Sequence, residues 1–255
     1  MNVVVLGKYV PNPQGVPELG PDHLLVRSGV EGALDPGDEY GLEAALRIVE
    51  AHGGEVLVVS MGPEEAMAAI RRALAMGAHG GVLVTDDALR GADALVTARV
   101  LAAAIGRRPF DLVIASVEST DGYTGTVPMT VAALLGVPSA TFARTLEVTD
   151  GVVRIERQTE RGYDVLESPL PALVTVTTAV AEPRYPTLKG IMQAKTKPVE
   201  RLTVSDLELS DEEIASTQTV VDASDAPPKD RGEVIEAGPE AIARIADLLQ
   251  EARII

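Results

Sequence analysis

Short apolar runs alternate with longer stretches of helical periodicity through the first half of the chain. Four runs are apolar at every position, which is typical of strands covered on both faces of a sheet. They occupy residues 3–6, 56–59, 82–84 and 112–115. The stretches between and after them predict helices over about 37–52, 63–76, 92–105 and 127–135. This order predicts an α/β fold with an open, mostly parallel sheet and helices on both faces.

The pattern changes after residue 150. Apolar and polar residues roughly alternate over 152–157 and 163–167, which predicts a half-exposed antiparallel hairpin, and a further buried strand is predicted over 172–177. From about 209 to 232 the chain is rich in Asp, Glu, Ser, Thr and Pro, a composition that favours an extended connector. An amphipathic helix is predicted over 239–249, and it could fold back on its own domain or dock on a partner. We therefore divide the chain into an α/β domain over 1–208 and an acidic arm with a C-terminal helix over 209–255.

Charge and composition argue against several classes of function. The chain has 22 Lys and Arg against 38 Asp and Glu, and its net charge of −16 at pH 7 argues against a nucleic-acid partner. The absence of cysteine excludes disulfides, thiol nucleophiles and Cys-ligated metal centres. No apolar run reaches the roughly 20 residues that span a bilayer, so we expect no membrane insertion. The N-terminal apolar stretch is too short for a signal peptide, so we expect a cytoplasmic protein.

Few residues suggest catalysis. The three histidines, His23, His52 and His79, lack metal-ligand spacing, and we interpret them as surface or capping residues. The sequence contains no Walker A loop and no G-x-S-x-G motif. We therefore predict a protein without catalytic residues and without a metal site.

A phosphate site is better supported. Ligands of open α/β sheets bind outside the carboxyl ends of the strands, near helix N-termini, and the loops at 7–8, 35–38, 60–63 and 118–127 meet this condition. The last loop contains two Gly, three Thr and one Ser, so its backbone can approach a phosphate and its hydroxyls can donate to it. Taken alone, this loop is also consistent with a glycine-rich turn and a threonine helix cap. The four loops together favour a nucleotide that is bound and not hydrolysed.

Residues 182–197 form a basic segment with apolar residues inside it. Two Pro stiffen its start, and Leu188, Ile191 and Met192 stand among cations. The segment is either a loop that leads into a short helix with a buried apolar side, or a docking surface with an apolar anchor surrounded by charge. The residues alone do not decide between these two interpretations.

The same segment resembles the recognition loop of electron transfer flavoprotein β subunits. The resemblance lies in Glu182-Pro183-Arg184-Tyr185, Thr187-Leu188, Ile191-Met192 and Ala194-Lys195. Further motifs of that family occur in order at Lys8, Val10-Pro11, Asp35-Pro36, Gly62-Pro63, 73–78 and 118–122, and in the hairpin with Arg157, Glu160 and Glu167 followed by Leu170-Pro171-Ala172. The resemblance extends from the N-terminus to about Glu200, and the acidic arm with its helix fits the remainder.

This resemblance implies an electron-carrying subunit of a heterodimer. The α subunit would hold or share a redox-active FAD, and this chain would bury an AMP of structural role. Partners would be acyl-CoA or related dehydrogenases, as in fatty acid oxidation, and a quinone-linked oxidoreductase. The recognition loop would cover about 176–198, with Leu188 as its anchor beside Tyr185, Ile191 and Met192. The AMP site would comprise Gly7, Asp35, Pro36, Gly37, Asp38, Met61, Val117, Glu118, Ser119, Thr120, Asp121, Gly122, Tyr123, Thr124, Gly125 and Thr126.

Departures from the family pattern leave the identity of the bound nucleotide, AMP or a second FAD, undecided. Many relatives have Asn in place of Asp35, an aromatic in place of Gly37 and an Asn-Gln-Thr-Gly run in place of 123–126. A charged Asp35 would disfavour a phosphate unless it faced the ribose or the adenine. Electron-bifurcating members bind a second FAD in place of AMP, and this loop matches neither version fully. The alternatives are a stand-alone nucleotide-sensing α/β protein, which would not need the arm after Leu209, and a structural scaffold with an empty pocket.

Overall fold

The computed structural model describes residues 1–11, 18–27, 29–224, 227–228, 232 and 234–255. The chain separates into two compact units, Met1–Val221 and Asp222–Ile255. The first unit extends to Val221 because Leu209 and Ile214 pack against its core, and Ser216 and Thr217 form hydrogen bonds with Asp93. The predicted connector over about 209–232 includes residues 225–226 and 229–231, which lie outside the described residues.

The first unit has most of its strands in one large sheet. Its strands are β1 (Asn2–Leu6), β2 (Tyr9–Pro11), β3 (Gly32–Leu34), β4 (Glu55–Met61), β5 (Gly80–Val84), β6 (Leu112–Ser116), β7 (Ser139–Thr149), β8 (Val152–Thr159), β9 (Gly162–Pro169), β10 (Ala172–Val176) and β11 (Val199–Leu202). Among the described residues, nine strands form one sheet in the order β11-β5-β4-β1-β6-β10-β7-β8-β9, and β2 pairs with β3 in a separate antiparallel ribbon.

The sheet is parallel from β11 to β7, and β8 and β9 continue it as an antiparallel edge. Every residue of β5, β6 and β10 is buried, because helices cover both faces of the sheet at these strands. The predicted α/β class, the parallel sheet and the antiparallel hairpin are confirmed.

Helices form a layer on each face of the sheet. They are α1 (Pro36–His52), α2 (Met67–Met76), α3 (Ala94–Gly106), α4 (Val127–Leu135) and the short α5 (Leu188–Ala194), while α6 (Pro239–Glu251) belongs to the second unit. One core cluster contains Leu42 of α1 and Leu74 of α2, and the other contains Val100 of α3 and Val131 of α4. Both clusters consist mainly of Val, Leu, Ile and Ala, as the low aromatic content requires.

Several elements differ from the prediction. The long strand β7 lies outside the predicted elements; it carries the exposed Phe142 with a positive φ of 61° near a register shift against β10. The short strands β2, β3 and β11 were also not predicted, since three or four residues carry too little periodicity. The helix predicted over 63–76 begins as a 3₁₀ turn, Glu64–Ala66, before α2.

Candidate functional site

The spatial order of the strands reverses at β1. From β1 the chain passes through α1 to β4 and through α2 to β5 on one side, whereas α3 crosses the opposite face to reach β6 on the other side. The carboxyl ends of β1 and β6 are therefore the switch point at which such sheets bind ligands, and we call this region the crevice. Gly7 follows β1, residues 117–126 follow β6, and residues 35–38 begin α1 at the same edge. The structure thus brings together most of the sequence-predicted site residues.

Asp35 links the start of α1 to the loop after β6. Its carboxylate is fully buried, and one oxygen accepts a hydrogen bond from the backbone N–H of Gly37 at 2.8 Å, which caps the helix. The other oxygen accepts from the backbone N–H and the hydroxyl of Thr120, at 2.7 and 2.8 Å. Both oxygens of Asp35 are therefore occupied by donors of the protein itself.

Asp38 is a buried acid in the first turn of α1. One carboxyl oxygen accepts from the backbone N–H of Lys8 at 2.7 Å, and the other lies 2.6 Å from Ser116 Oγ. Burial, with the nearby charge of Asp35, raises the pKa of Asp38 to about 7. Ser116 Oγ also lies 3.1 Å from the carbonyl oxygen of Glu118, although a hydroxyl has only one proton to donate. A protonated Asp38 satisfies every group, since it donates to Ser116 while Ser116 donates to Glu118.

Asp121 anchors the middle of the same loop. Its side chain is only 5% exposed and pairs with Lys8 Nζ at 2.6 Å and with Arg27 Nη2 at 2.5 Å. Burial opposes ionisation of Asp121, but the two cations outweigh it and lower its pKa. Lys8 Nζ also donates to Ser119 Oγ at 3.1 Å. Arg27 and Ser116 were not among the predicted site residues; Ser116 could have been found as a hydroxyl that ends an apolar strand.

The tip of the loop remains open to solvent. Gly122, Tyr123, Thr124 and Thr126 are exposed, and Gly125 adopts a positive φ of 60° that favours glycine. The loop leads directly into α4, whose N-cap residue Thr126 makes no side-chain capping hydrogen bond. The backbone N–H groups of Val127 and Met129 in the first turn of α4 thus lack a side-chain cap and can donate to an acceptor such as a phosphate oxygen, whereas Pro128 between them has no N–H.

The remaining predicted residues lie around the crevice without contacting its centre. Pro36 is exposed at the first position of α1, and Met61 ends β4 and packs against the α3/α4 core. Beside Met61, Ser60 is fully buried, and its Oγ has no hydrogen-bond partner among the described residues. The register of β1 against β4 places Ser60 next to Gly7, so an unsatisfied donor lies at the rim of the crevice.

One described depression lies outside this crevice. It has a volume of about 370 Å³ and is open to solvent between β3, α1 and α2. A salt bridge of 2.8 Å between Glu39 and Arg72 crosses its lining, which suits this depression poorly to an adenine ring.

A second surface lies on α5 and the residues before it. Tyr185, Leu188, Ile191 and Met192, which we call the exposed cluster, are all open to solvent, with Tyr185 86% and Leu188 77% exposed. The segment therefore does form a short helix, but its apolar side is not buried. The C-terminal end of α5 is fastened to the end of α2, because Lys197 Nζ donates to the carbonyls of Leu74 at 3.0 Å and Ala78 at 2.6 Å.

The exposed cluster and the crevice lie at opposite edges of the sheet. Crossover helices run antiparallel to the strands, so the C-terminal end of α2 lies at the amino edge of the sheet, and α5 packs there. The crevice, in contrast, lies at the carboxyl edge. The two surfaces are thus separated by the length of the domain's helices.

The described histidines and helices do not indicate a further site. His79 Nδ1 accepts from the backbone N–H of Val56 at 3.0 Å, a link between neighbouring elements of the fold. The described part of the chain contains no cluster of acids and histidines that could hold a metal ion. In that same part, every helix is too short or too polar to cross a bilayer.

Comparison with known proteins assigns the family. Residues 22–207 match the model of the electron transfer flavoprotein domain. The chain is similar over its whole length to the β subunits of electron transfer flavoproteins from Thermoanaerobacterium thermosaccharolyticum, 37% identical over all of both chains, and from Mycobacterium bovis, 38% identical over all of this chain and 99% of the relative. The Bacillus subtilis β subunit is 35% identical over 89% of this chain and 90% of its own. The chain belongs to the electron transfer flavoprotein β-subunit family, whose members are electron carriers.

Proposed function

We propose that this chain pairs with an α subunit, binds AMP in the crevice as a structural group, and docks electron-donating dehydrogenases through the exposed cluster. The observation that carries the proposal is the exposed cluster, which is fixed to the domain at the edge opposite the crevice. A solvent-exposed apolar anchor of this kind is typical of a surface that binds another protein. The chain itself would contribute no catalytic residue and would act in the cytoplasm.

Three observations support a nucleotide in the crevice. The first amides of α4 and the hydroxyls of Thr124 and Thr126 supply donors for a phosphate, and Lys8 supplies a positive charge nearby. The buried Ser60 Oγ, which has no hydrogen-bond partner within the described part of the chain, would supply a further donor at the rim. Because both oxygens of Asp35 already accept from Gly37 and Thr120, this residue fastens the loop and does not need to face the phosphate.

The redox group would belong mainly to the α subunit. FAD supplies the one- or two-electron chemistry when it is bound, and this chain would help to hold it. The amphipathic helix α6, in the second compact unit, would pack on the α subunit and would explain why the chain continues beyond the α/β domain. Electrons received from the dehydrogenase would pass on to a quinone-linked oxidoreductase.

The docking proposal predicts a specific effect of Leu188→Ala. In the αβ complex we expect the apparent KM of a substrate-reduced acyl-CoA dehydrogenase for the complex to rise about tenfold or more, because Leu188 is the most exposed aliphatic side chain of the cluster. Flavin content and the unfolding temperature should not change, since Leu188 contributes little to the core. Unchanged transfer kinetics in this variant would contradict the docking proposal.

The identity of the nucleotide is tested by acid extraction of the purified complex. One FAD and one AMP per heterodimer are expected; two FAD and no AMP would instead indicate a bifurcating type of subunit. A stable homodimer that binds ATP when the chain is expressed alone would favour a nucleotide-sensing protein over both.

A further inference from the structure

We propose that Arg184 is a positioning residue for docking: it ties the start of the exposed cluster to α1 and so holds the cluster in its binding arrangement before a partner arrives. This inference rests on the proposed docking function and extends it to a residue that does not itself belong to the exposed cluster.

The guanidinium of Arg184 joins two carboxylates of α1. Its Nε and Nη2 donate to the two oxygens of Glu43 at 2.7 and 3.2 Å, and its Nη1 and Nη2 donate to Glu50 at 2.5 and 3.0 Å. Glu43 also accepts from the backbone N–H of Arg184 at 3.2 Å. Glu43 and Glu50 are seven residues apart, two turns of one helix, so they present both carboxylates along the same face. The planar fork of an arginine fits this pair, whereas a lysine ammonium can satisfy only one of them well.

The charges favour a fixed arrangement. The Glu43 side chain is only 3% exposed, and burial opposes its ionisation, yet Arg184 and Arg47 outweigh this effect and lower its pKa. An ionised carboxylate at this depth needs its partners, because an unpaired buried charge is strongly unfavourable. Arg47 donates to Glu43 at 2.7 Å and lies 3.4 Å from the carbonyl of Glu182, so it supports the same junction.

Arg184 secures the part of the segment that has no regular structure. Residues 181–187 form neither helix nor strand, whereas the other end of the cluster is already fixed through Lys197 and through Arg71, which donates to the carbonyl of Ala194. Tyr185 follows Arg184 directly, and Thr187 caps α5 by accepting from the N–H of Gly190. Without Arg184, a partner would have to order these residues on binding, which weakens association.

The test compares Arg184→Gln with Leu188→Ala in the αβ complex, using a substrate-reduced acyl-CoA dehydrogenase as electron donor. Arg184→Gln should raise the apparent KM for the complex about tenfold or more with little change in kcat, and Arg184→Lys should give an intermediate value. Amide hydrogen exchange over 181–192 should become at least about tenfold faster without any partner present. As matched control, Arg201→Gln removes an exposed arginine that pairs with Glu64 at 3.4 Å and should change neither readout.

The outcomes separate this inference from the function on which it rests. If Leu188→Ala raises KM but Arg184→Gln does not, Arg184 does not position the cluster. If Leu188→Ala leaves KM unchanged, the docking function fails and the inference fails with it. A loss of flavin and a lower unfolding temperature in Arg184→Gln, without faster exchange confined to 181–192, would show a purely structural role and would also overturn the inference.

Discussion

Replacing Asp38 by Asn should stabilise the protein above pH 7 and flatten the dependence of its stability on pH. The asparagine is nearly the same shape as the protonated acid. Its amide group can donate to Ser116 Oγ, and its carbonyl oxygen can still accept from the backbone N–H of Lys8. The variant thus keeps the hydrogen bonds of the neutral form and cannot acquire the buried charge.

The magnitude follows from the pKa of Asp38, which burial and Asp35 raise from 3.8 to about 7. Between these two values the folded protein keeps the proton that the unfolded chain has already released. Raising the pH through this window therefore lowers the free energy of unfolding, and the loss is complete above about pH 7. At about 1.4 kcal/mol per pKa unit, the full loss is about 4 kcal/mol, of which about half has already occurred at about pH 5.5.

The assay is denaturant unfolding of both proteins, followed by far-ultraviolet circular dichroism between about pH 5.5 and 8.5. The free energy of unfolding of Asp38→Asn, relative to that of the parent, should rise by about 2 kcal/mol across this range. Taking the difference between the two proteins cancels the contributions of all other titrating groups. Asp121→Asn is the control of opposite sign: Lys8 and Arg27 lower the pKa of Asp121, so this variant should be less stable at neutral pH. A difference for Asp38→Asn that is constant with pH, or a variant less stable at every pH, would refute the reasoning.

Two further substitutions probe the supports of each surface. Asp35→Ala removes the cap of α1 and the anchor of Thr120, and should lower the free energy of unfolding by about 2 kcal/mol, measured by denaturant titration; an unchanged midpoint would contradict the role of this carboxylate. Gly190→Ala places a Cβ only 2.4 Å from the carbonyl oxygen of Ala75, so α5 must move; we expect a loss of about 1–3 kcal/mol by the same titration, with Gly106→Ala as a control whose Cβ meets Leu135 Cδ2 at an ordinary contact distance of 4.0 Å. Equal stabilities of these two glycine variants would show that α5 is not tightly packed on α2.

The sheet could be predicted from the sequence because its signals are local. The buried parallel strand β6 is apolar up to its last residue, Ser116, and α4 is followed by Gly136, which adopts the left-handed conformation that such helix ends favour. The place of β7 beside β10 could not be predicted, because the register shifts near Phe142 and the paired residues lie more than thirty positions apart. The pairing of β7 with β8, in contrast, is local: it runs through the Asp150-Gly151 turn, and Asp-Gly is a hairpin signal that the sequence does offer.

The same distinction between local and long-range information applies to the candidate site. The edge of the sheet that carries it follows from the strand–helix order and needs no side-chain detail. The hydrogen bonds that support the site and the exposed cluster do not follow from this order. Asp38 contacts Ser116, 78 positions away in the sequence, and Arg184 contacts Glu43, 141 positions away. In an acidic chain with so many carboxylates, composition gives no reason to select these from the rest. Only the fold shows which of them are buried and therefore need a partner.

Helix α1 is the element that joins the two surfaces. Its first turn holds the crevice through Asp35 and Asp38, and its later turns hold Arg184 through Glu43 and Glu50. At 1.5 Å per residue, Asp38 lies about 7.5 Å from Glu43 and about 18 Å from Glu50 along this helix. The helix is packed on the sheet and holds both sets of contacts in place. No hydrogen bond described in the structure joins the contacts of Asp35 and Asp38 to those of Arg184. Substitutions at the two ends should therefore act independently, so that a protonation change at Asp38 alters stability without altering how the exposed cluster meets a partner.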